Sequence, residues 1–336
     1  MTRFPAAVAG LAFVAACLAA WLPTAVAQDE AEPAKVKLPF TPAVGQTVRF
    51  ELVETKERQA GGQSQQALRS TTVFDLTPAA KTDEGYVFRL TYVDVRVDTP
   101  LPLPFLTDIA ELSEGVTIEY RADPTGTPLS ITNLPQVRET FAKALDLMDA
   151  GFTEWFQSLD LTDEQRAQLQ QVFVDATGLF RQMTPEVANQ AFLESARILF
   201  VATGGEYYVD YLSEYDTAYD FALAGTTITG IGAYEVARYE PEAGEAEVGW
   251  SFRPEPEALK AAVAAVIEAL TAQTGEAAGA EARAQIEGLN SYQSEEVAKS
   301  VIDLADGMPK SVTYVKTVGT DDRRSIDTSQ FTRVEP

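Results

Sequence analysis

The chain of 336 residues reads as an α+β protein dominated by antiparallel strands. Three observations predict this. Alternation of apolar and polar residues, the mark of a half-buried strand, recurs through the first and last thirds of the chain. Apolar residues spaced three and four apart, the mark of an amphipathic helix, fill the middle over about 135–200. Segregated runs of this kind build α+β domains, whereas a parallel sheet needs strands and helices in alternation.

The elements follow in chain order. Residues 1–27 have the layout of a secretory signal peptide. Arg3 gives a positive start, 6–22 is apolar, and Ala25-Val26-Ala27 is a small-x-small cleavage site before Gln28-Asp29-Glu30. Cleavage after Ala27 would make the protein periplasmic or secreted. Pro23 and the flanking residues are wrong for a stop-transfer helix, so no membrane span is expected after cleavage. The alternative is a lipoprotein anchored through Cys17, since Val14-Ala15-Ala16-Cys17 resembles a lipobox. The apolar run 18–22, where a polar tether would stand, favours ordinary cleavage. Residues 28–43 read as a flexible tether, and 44–336 as a single α+β domain with a helical insertion at about 135–200.

Within that domain, 46–52 alternates as a strand, Gly61-Gly62 marks a turn and 70–76 returns. A third strand, 86–97, is rich in β-branched and aromatic residues. The spaced prolines Pro100, Pro102 and Pro104 forbid regular helix or central strand, so 100–106 is expected as an apolar loop. A hairpin over 116–132 turns at Asp123-Pro124-Thr125-Gly126. Helices are expected over 135–150, over 163–183 with Thr162 as N-cap, and from Pro185 to about residue 200. Strands return at 226–239 and 246–252, followed by an alanine-rich helix at 257–273, a linker at 274–282 and a short helix at 294–305. Two closing strands, 310–318 and 324–334, flank the turn 319–322.

Composition removes whole classes of function. A balance of 26 basic against 50 acidic residues, net −24, repels nucleic-acid backbones and anionic lipid surfaces, so no nucleic-acid partner is expected. The sole cysteine lies in the leader, which leaves no disulfide and no thiolate chemistry after cleavage. The chain has no histidine, which excludes a Ser-His-Asp triad, a His-ligated zinc and an imidazole base. No phosphate loop, dinucleotide fingerprint or EF-hand spacing is present. No cofactor, no metal and no catalytic residue is nominated, because among so many carboxylates some pair always resembles a glycosidase acid and base.

The sharpest local pattern is 207–221. One parity reads Tyr207, Val209, Tyr211, Ser213, Tyr215, Thr217, Tyr219 and Phe221, and the other carries Asp210, Glu214, Asp216 and Asp220. Read as one long amphipathic strand, or two strands meeting near Ser213-Glu214, it sets four tyrosines in a row on one face of a sheet. Such a row either forms core, with each hydroxyl finding a partner at the periphery, or lines a cavity where rings touch an apolar ligand and hydroxyls orient it. Tyr207, Tyr211, Tyr215 and Tyr219 are therefore the candidate ligand-binding residues. The acids of the other parity do not make a calcium site, since Asp210 and Glu214 stand about 13 Å apart along a strand.

Three further elements carry a resemblance: Val44-Gly45-Gln46-Thr47-Val48-Arg49-Phe50, Tyr120-Arg121-Ala122-Asp123-Pro124-Thr125-Gly126, and Gly307-Met308-Pro309-Lys310-Ser311-Val312 before alternating strands. In these the chain resembles secreted bacterial proteins of unknown function, and in architecture the lipoprotein-carrier half-barrels that shelter lipid. The resemblance implies a curved antiparallel sheet, half-barrel-like, with helices packed against or plugging its concave face. The expected function is a non-enzymatic extracytoplasmic binding or carrier protein for an apolar or amphipathic ligand, a lipid or other apolar small molecule. The alternatives are a carboxylate-based hydrolase of envelope polysaccharide and a structural or assembly protein of the envelope.

Overall fold

A computed structural model describes residues 34–335, except 101–102, 104, 222–224, 275–292 and 321–322. The expected signal peptide, the first part of the tether and most of the linker at 274–282 lie outside the described residues. Residues 34–336 form one compact unit.

Two antiparallel meanders meet at their first and last strands. The first comprises β2 (Val48–Ala60), β3 (Gln63–Thr82), β4 (Gly85–Asp98), β5 (Thr117–Ala122) and β6 (Pro128–Ile131). The second comprises β8 (Ser213–Phe221), β9 (Thr226–Glu240), β10 (Glu245–Pro254), β11 (Gln293–Asp303), β12 (Pro309–Gly319) and β13 (Arg323–Val334). Pairing of β13 with β2 joins them into one 11-stranded sheet, ordered β6-β5-β4-β3-β2-β13-β12-β11-β10-β9-β8 and not closed into a barrel. The fold is α+β, as expected.

Local chemistry explains the turns. Gly61 and Gly62, at φ of 57° and 78°, form the two-residue link that matches the twist of a hairpin. At the β5–β6 turn the Asp123 carboxylate accepts from Thr125 N (2.8 Å) and Thr127 N (2.9 Å), an Asx turn. Pro78 lies in β3 where the ladder to β4 shifts register, the place a strand tolerates a residue without an N–H.

Among the described residues six helices accompany the sheet. α1 (Phe105–Ser113) follows β4, and α6 (Pro256–Thr274) follows β10. Between β6 and the second meander come α2 (Leu134–Ser158), α3 (Asp163–Arg181), α4 (Pro185–Phe192) and α5 (Glu194–Leu199). Thr162 and Gln165 bond reciprocally at the start of α3, at 3.2 and 3.0 Å, and Thr184 caps α4. Phe105 and Phe173 both pack on Phe152, giving α1, α2 and α3 a small aromatic core of their own.

Three expectations are corrected. Residues 34–43 are no tether: β1 (Lys35–Lys37) pairs with β7 (Glu206–Tyr208), and Leu38 and Phe40 are buried in the core. The Phe40 ring meets Tyr86 and Phe200 edge-on at 5.5 and 5.6 Å. Of the expected loop 100–106, residues 101, 102 and 104 lie outside the described residues, and Phe105 opens α1. Finally, 294–305 is not a helix but β11, paired on both sides. Its glutamates, alanine and lysine favour a helix in isolation. Pairing on both edges and an inward row of Ala298, Ser300 and Ile302 override that preference.

The core sits on one face of the sheet. Phe50, Leu52, Phe74, Leu76, Phe88, Tyr120, Val312 and Phe331 point inward and are covered by Leu193, Ala196, Leu199 and Phe200 of and beside α5. The helix therefore plugs the inner face. The sheet also curls. Glu194 on α5 is close enough to raise both Glu54 on β2 and Tyr219 on β8. Those strands are six places apart, which would be about 29 Å in a flat sheet.

Candidate functional site

The inner face changes character along its strands. On β2 the inward parity runs Phe50, Leu52, Glu54, Lys56; on β13, Phe331, Ser329, Asp327; on β12, Val312, Tyr314, Lys316; on β11, Ile302, Ser300, Ala298, Glu296. Each strand starts apolar beneath the plug and ends polar or charged beyond it. The register sets Glu296 opposite Lys316, and Asp327 opposite both Lys316 and Lys56. Glu296 and Lys316 pair at 2.9 Å, and Lys56 reaches Asp327 at 3.3 Å.

Aromatic rings continue this band across β10, β9 and β8. Trp250 donates its indole N–H to the Tyr215 hydroxyl at 3.1 Å. Tyr215 stacks on Tyr234 with ring centroids 5.4 Å apart, and lies over Gly232, where a Cβ would meet the Tyr215 ring at 2.4 Å. Tyr219 meets Phe252 edge-on at 5.3 Å, and the Tyr314 hydroxyl donates to Glu296 at 2.7 Å. From α6, Ala262 packs on Ile228 and Phe252, closing that end.

The structure splits the four expected tyrosines. Tyr207 is on β7, buried, its ring 5.1 Å from Tyr234, and belongs to the core. Tyr215 and Tyr219 are on β8, half-buried on the inner face. Tyr211 is 51% exposed and touches Tyr208 instead. The single long strand is broken at Asp210, whose φ of 55° is in the left-handed region, so the parity that would hold Tyr211 inward is lost. The break comes three residues before the expected meeting point at Ser213-Glu214.

Electrostatics mark the same band. Burial raises the Glu54 carboxyl above its ordinary value, opposed by a hydrogen bond from Ser70 at 3.2 Å and helped by Glu194 and Asp327. Burial, with Glu54 adding, pushes the Tyr92 hydroxyl up to about 12. Tyr219 is raised by burial, while Glu296 and Glu194 add and Lys316 opposes. Burial pulls Lys316 down, but the charge and hydrogen bond of Glu296 outweigh it and leave the ammonium above its ordinary value. On α5, burial lowers Arg197 and Glu194 partly offsets this.

The band is also open. Glu194, although placed between β2 and β8, is exposed, and Glu54, Tyr92, Tyr215, Tyr219, Trp250, Lys316 and Arg197 are all half-buried. Beyond the plug, then, the inner face carries a half-buried band of aromatic and charged side chains. Two grooves lie elsewhere, one of 420 Å³ lined by Phe141, Leu145, Met183 and Arg138 and one of 330 Å³ beside Thr117 and Val137; none of the four tyrosines lines either. Among the described residues no three His, Cys, Asp or Glu side chains converge as a metal set, and no helix is long and apolar enough to cross a membrane.

Sequence reasoning missed Glu54, Tyr92, Glu194, Arg197, Glu296, Tyr314 and Lys316. A signal for three of them existed: a charged residue on the apolar parity of a strand, as in Phe50-x-Leu52-x-Glu54, Val312-x-Tyr314-x-Lys316 and Glu296-x-Ala298.

The chain matches no protein-family model and no curated protein. Among solved structures it is similar to a chain described as "Lipid-protein interactions in lipovitellin", with a TM-score of 0.39 and 9% identity over 87% of this chain. The chain spans 25% of that protein's length. It also aligns with a chain of the MucA/MucB complex of Pseudomonas aeruginosa, with a TM-score of 0.12 and 8% identity over 85% of this chain and 89% of that one. At these scores neither likeness bears on function.

Proposed function

We propose that the chain is a non-enzymatic extracytoplasmic carrier that holds an amphipathic ligand in the cleft beyond the α5 plug. One observation carries the reading: a single surface, open to water, joins an aromatic wall to a row of charges. A ligand site of this kind is mostly apolar with a few placed polar groups. Trp250, Tyr215 and Tyr219 offer the wall for a hydrocarbon chain. Glu54, Glu296 and Lys316 offer the polar edge for its head. The extracytoplasmic address rests on the leader over 1–27.

Native mass spectrometry of the purified protein, followed by organic extraction, tests this. The expected result is a co-purifying amphiphile whose occupancy falls in Tyr219→Ser and Trp250→Leu and is unchanged in Tyr211→Ala. A clean apo mass, with no amphiphile bound on titration, overturns it.

A further inference from the structure

The 420 Å³ groove on the helical insertion is lined by none of the inner-face band and carries its own chemistry. Along α2, Arg138, Phe141, Ala142 and Leu145 follow one another at three and four places and so share one face of the helix. Met183, in the link between α3 and α4, and Phe192, at the end of α4, complete the lining. Phe192 meets Phe141 edge-on, with ring centroids 5.1 Å apart. Leu145 and Met183 are buried, whereas Arg138 and Ala142 are exposed. A direct contact ties the cation to the apolar lining, since the Arg138 guanidinium donates to the Met183 carbonyl.

The charges of this groove are unevenly answered. Arg181 is held by Asp146 at 2.7 Å and by Asp149 at 2.8 Å, and Glu139 by Lys143 at 2.9 Å. Arg138 has no carboxylate within 4.0 Å among the described residues. Glu186, in the first turn of α4, senses its charge but lies outside ion-pair reach. A guanidinium presents a planar fork of N–H donors, so the single bond to Met183 leaves donors for an anion. One uncommitted cation balances one negative charge. A dianion would leave charge beside Glu139, Asp146 and Asp149, and a cation would face Arg138. A volume of 420 Å³ stands near the lower end of the range for small-molecule sites, about 300–1,000 Å³, which suits a small ligand better than a protein element.

We propose that this groove binds an apolar monocarboxylate of the size of a medium-chain fatty acid, its carboxylate on Arg138 and its tail against Phe141, Leu145, Met183 and Phe192. The assignment is independent of the carrier reading, which rests on the inner face of the sheet.

Decanoate below its micelle concentration, decanol and decyltrimethylammonium are titrated by calorimetry and by NMR of protein carrying ¹³C-methyl methionine. The Met183 methyl signal, assigned through Met183→Leu, should move with decanoate, while that of Met308, buried in the main core, stays in place. Decanoate should bind about tenfold more tightly than decanol, the effect of one charge-assisted pair, and decyltrimethylammonium more weakly than either. Arg138→Gln should bring decanoate down to the level of decanol, and Arg138→Lys should keep part of the difference. Ala142→Trp fills the groove from an exposed helical position and leaves Arg138 in place, so it should abolish the Met183 shift. Trp250→Leu, on the inner face, should leave that shift unchanged. A Met183 methyl unmoved by decanoate, equal binding of decanol, or undiminished binding by an Arg138→Gln protein that circular dichroism shows folded would each overturn the assignment. None of these outcomes touches the carrier reading, whose own test is the extracted amphiphile and its loss in Trp250→Leu.

Discussion

Replacing Phe40 by alanine separates a tether from a structural anchor. A residue in a flexible tether would change stability by nothing measurable. Phe40 instead is 8% exposed, with its ring against Tyr86, Phe88 and Phe200. Three glycines make room for it and its neighbour. A Cβ on Gly126 would strike the Phe40 ring at 2.5 Å, one on Gly204 would reach the Phe40 Cβ at 3.2 Å, and one on Gly307 would strike the Pro39 carbonyl at 1.8 Å. Truncating a buried phenylalanine costs about 3–5 kcal/mol in lost transfer and cavity terms. The Tyr86 hydroxyl bonds the Phe40 backbone carbonyl at 3.2 Å, a contact alanine keeps, so the loss is one of packing. Against a total stability of about 5–15 kcal/mol this is a large fraction. With a urea m-value of about 3 kcal/mol/M, the unfolding midpoint should fall by about 1–2 M with the slope unchanged. Urea titration followed by circular dichroism measures it. A midpoint within about 0.2 M of the parent, on the same m-value, would refute the anchoring of this segment.

Other outcomes follow from the same geometry. Ile302→Ala should cost about 2–5 kcal/mol, whereas Val301→Ala and Val297→Ala should each cost about 1 kcal/mol or less, a period of two that denaturant titration would read and a helical β11 would not produce. Gly232→Ala places a Cβ against the Tyr215 ring, so the ring must leave Tyr234 and free the Trp250 N–H; the tryptophan emission should shift in a Trp155→Phe background, and an unchanged spectrum would count against the stack. Glu54 gives a pH signature. Its folded-state value stands above the ordinary 4.5, so the fold binds more protons than the unfolded chain just above that value and loses stability as pH rises through it. Glu54→Gln should therefore be more stable than the parent at neutral pH and equal to it once both states of the parent are protonated; a variant less stable at neutral pH would reverse the sign.

Much of the fold was legible in the sequence. Alternation exposed most strands because one face of each meets the core and the other meets water, so Phe50 and Leu52 on β2 or Val312 and Tyr314 on β12 mark their own side. Turn chemistry was equally local: Gly61-Gly62 and Asp123 act within a few residues of themselves. The helices of the insertion announced themselves through spacing and caps at Thr162 and Thr184. β11 was not legible, because its composition suits a helix and only its two neighbours make it a strand. The Tyr211 position was lost to one backbone angle at Asp210.

What the sequence determined alone was what depends on near neighbours: the α+β class, the placement of most strands and of the helices over about 135–200, and the exclusions that follow from having no histidine. The tertiary structure decided what depends on contacts across the chain. It buried Phe40 against residues 46 to 160 positions away, curled β2 toward β8, and brought Glu54 and Lys316 within electrostatic reach of Glu194. The reason is physical. Periodicity and capping act over one turn or one hairpin, while a site on the inner face of a curled sheet is made by strands that meet only after the whole meander has closed on itself.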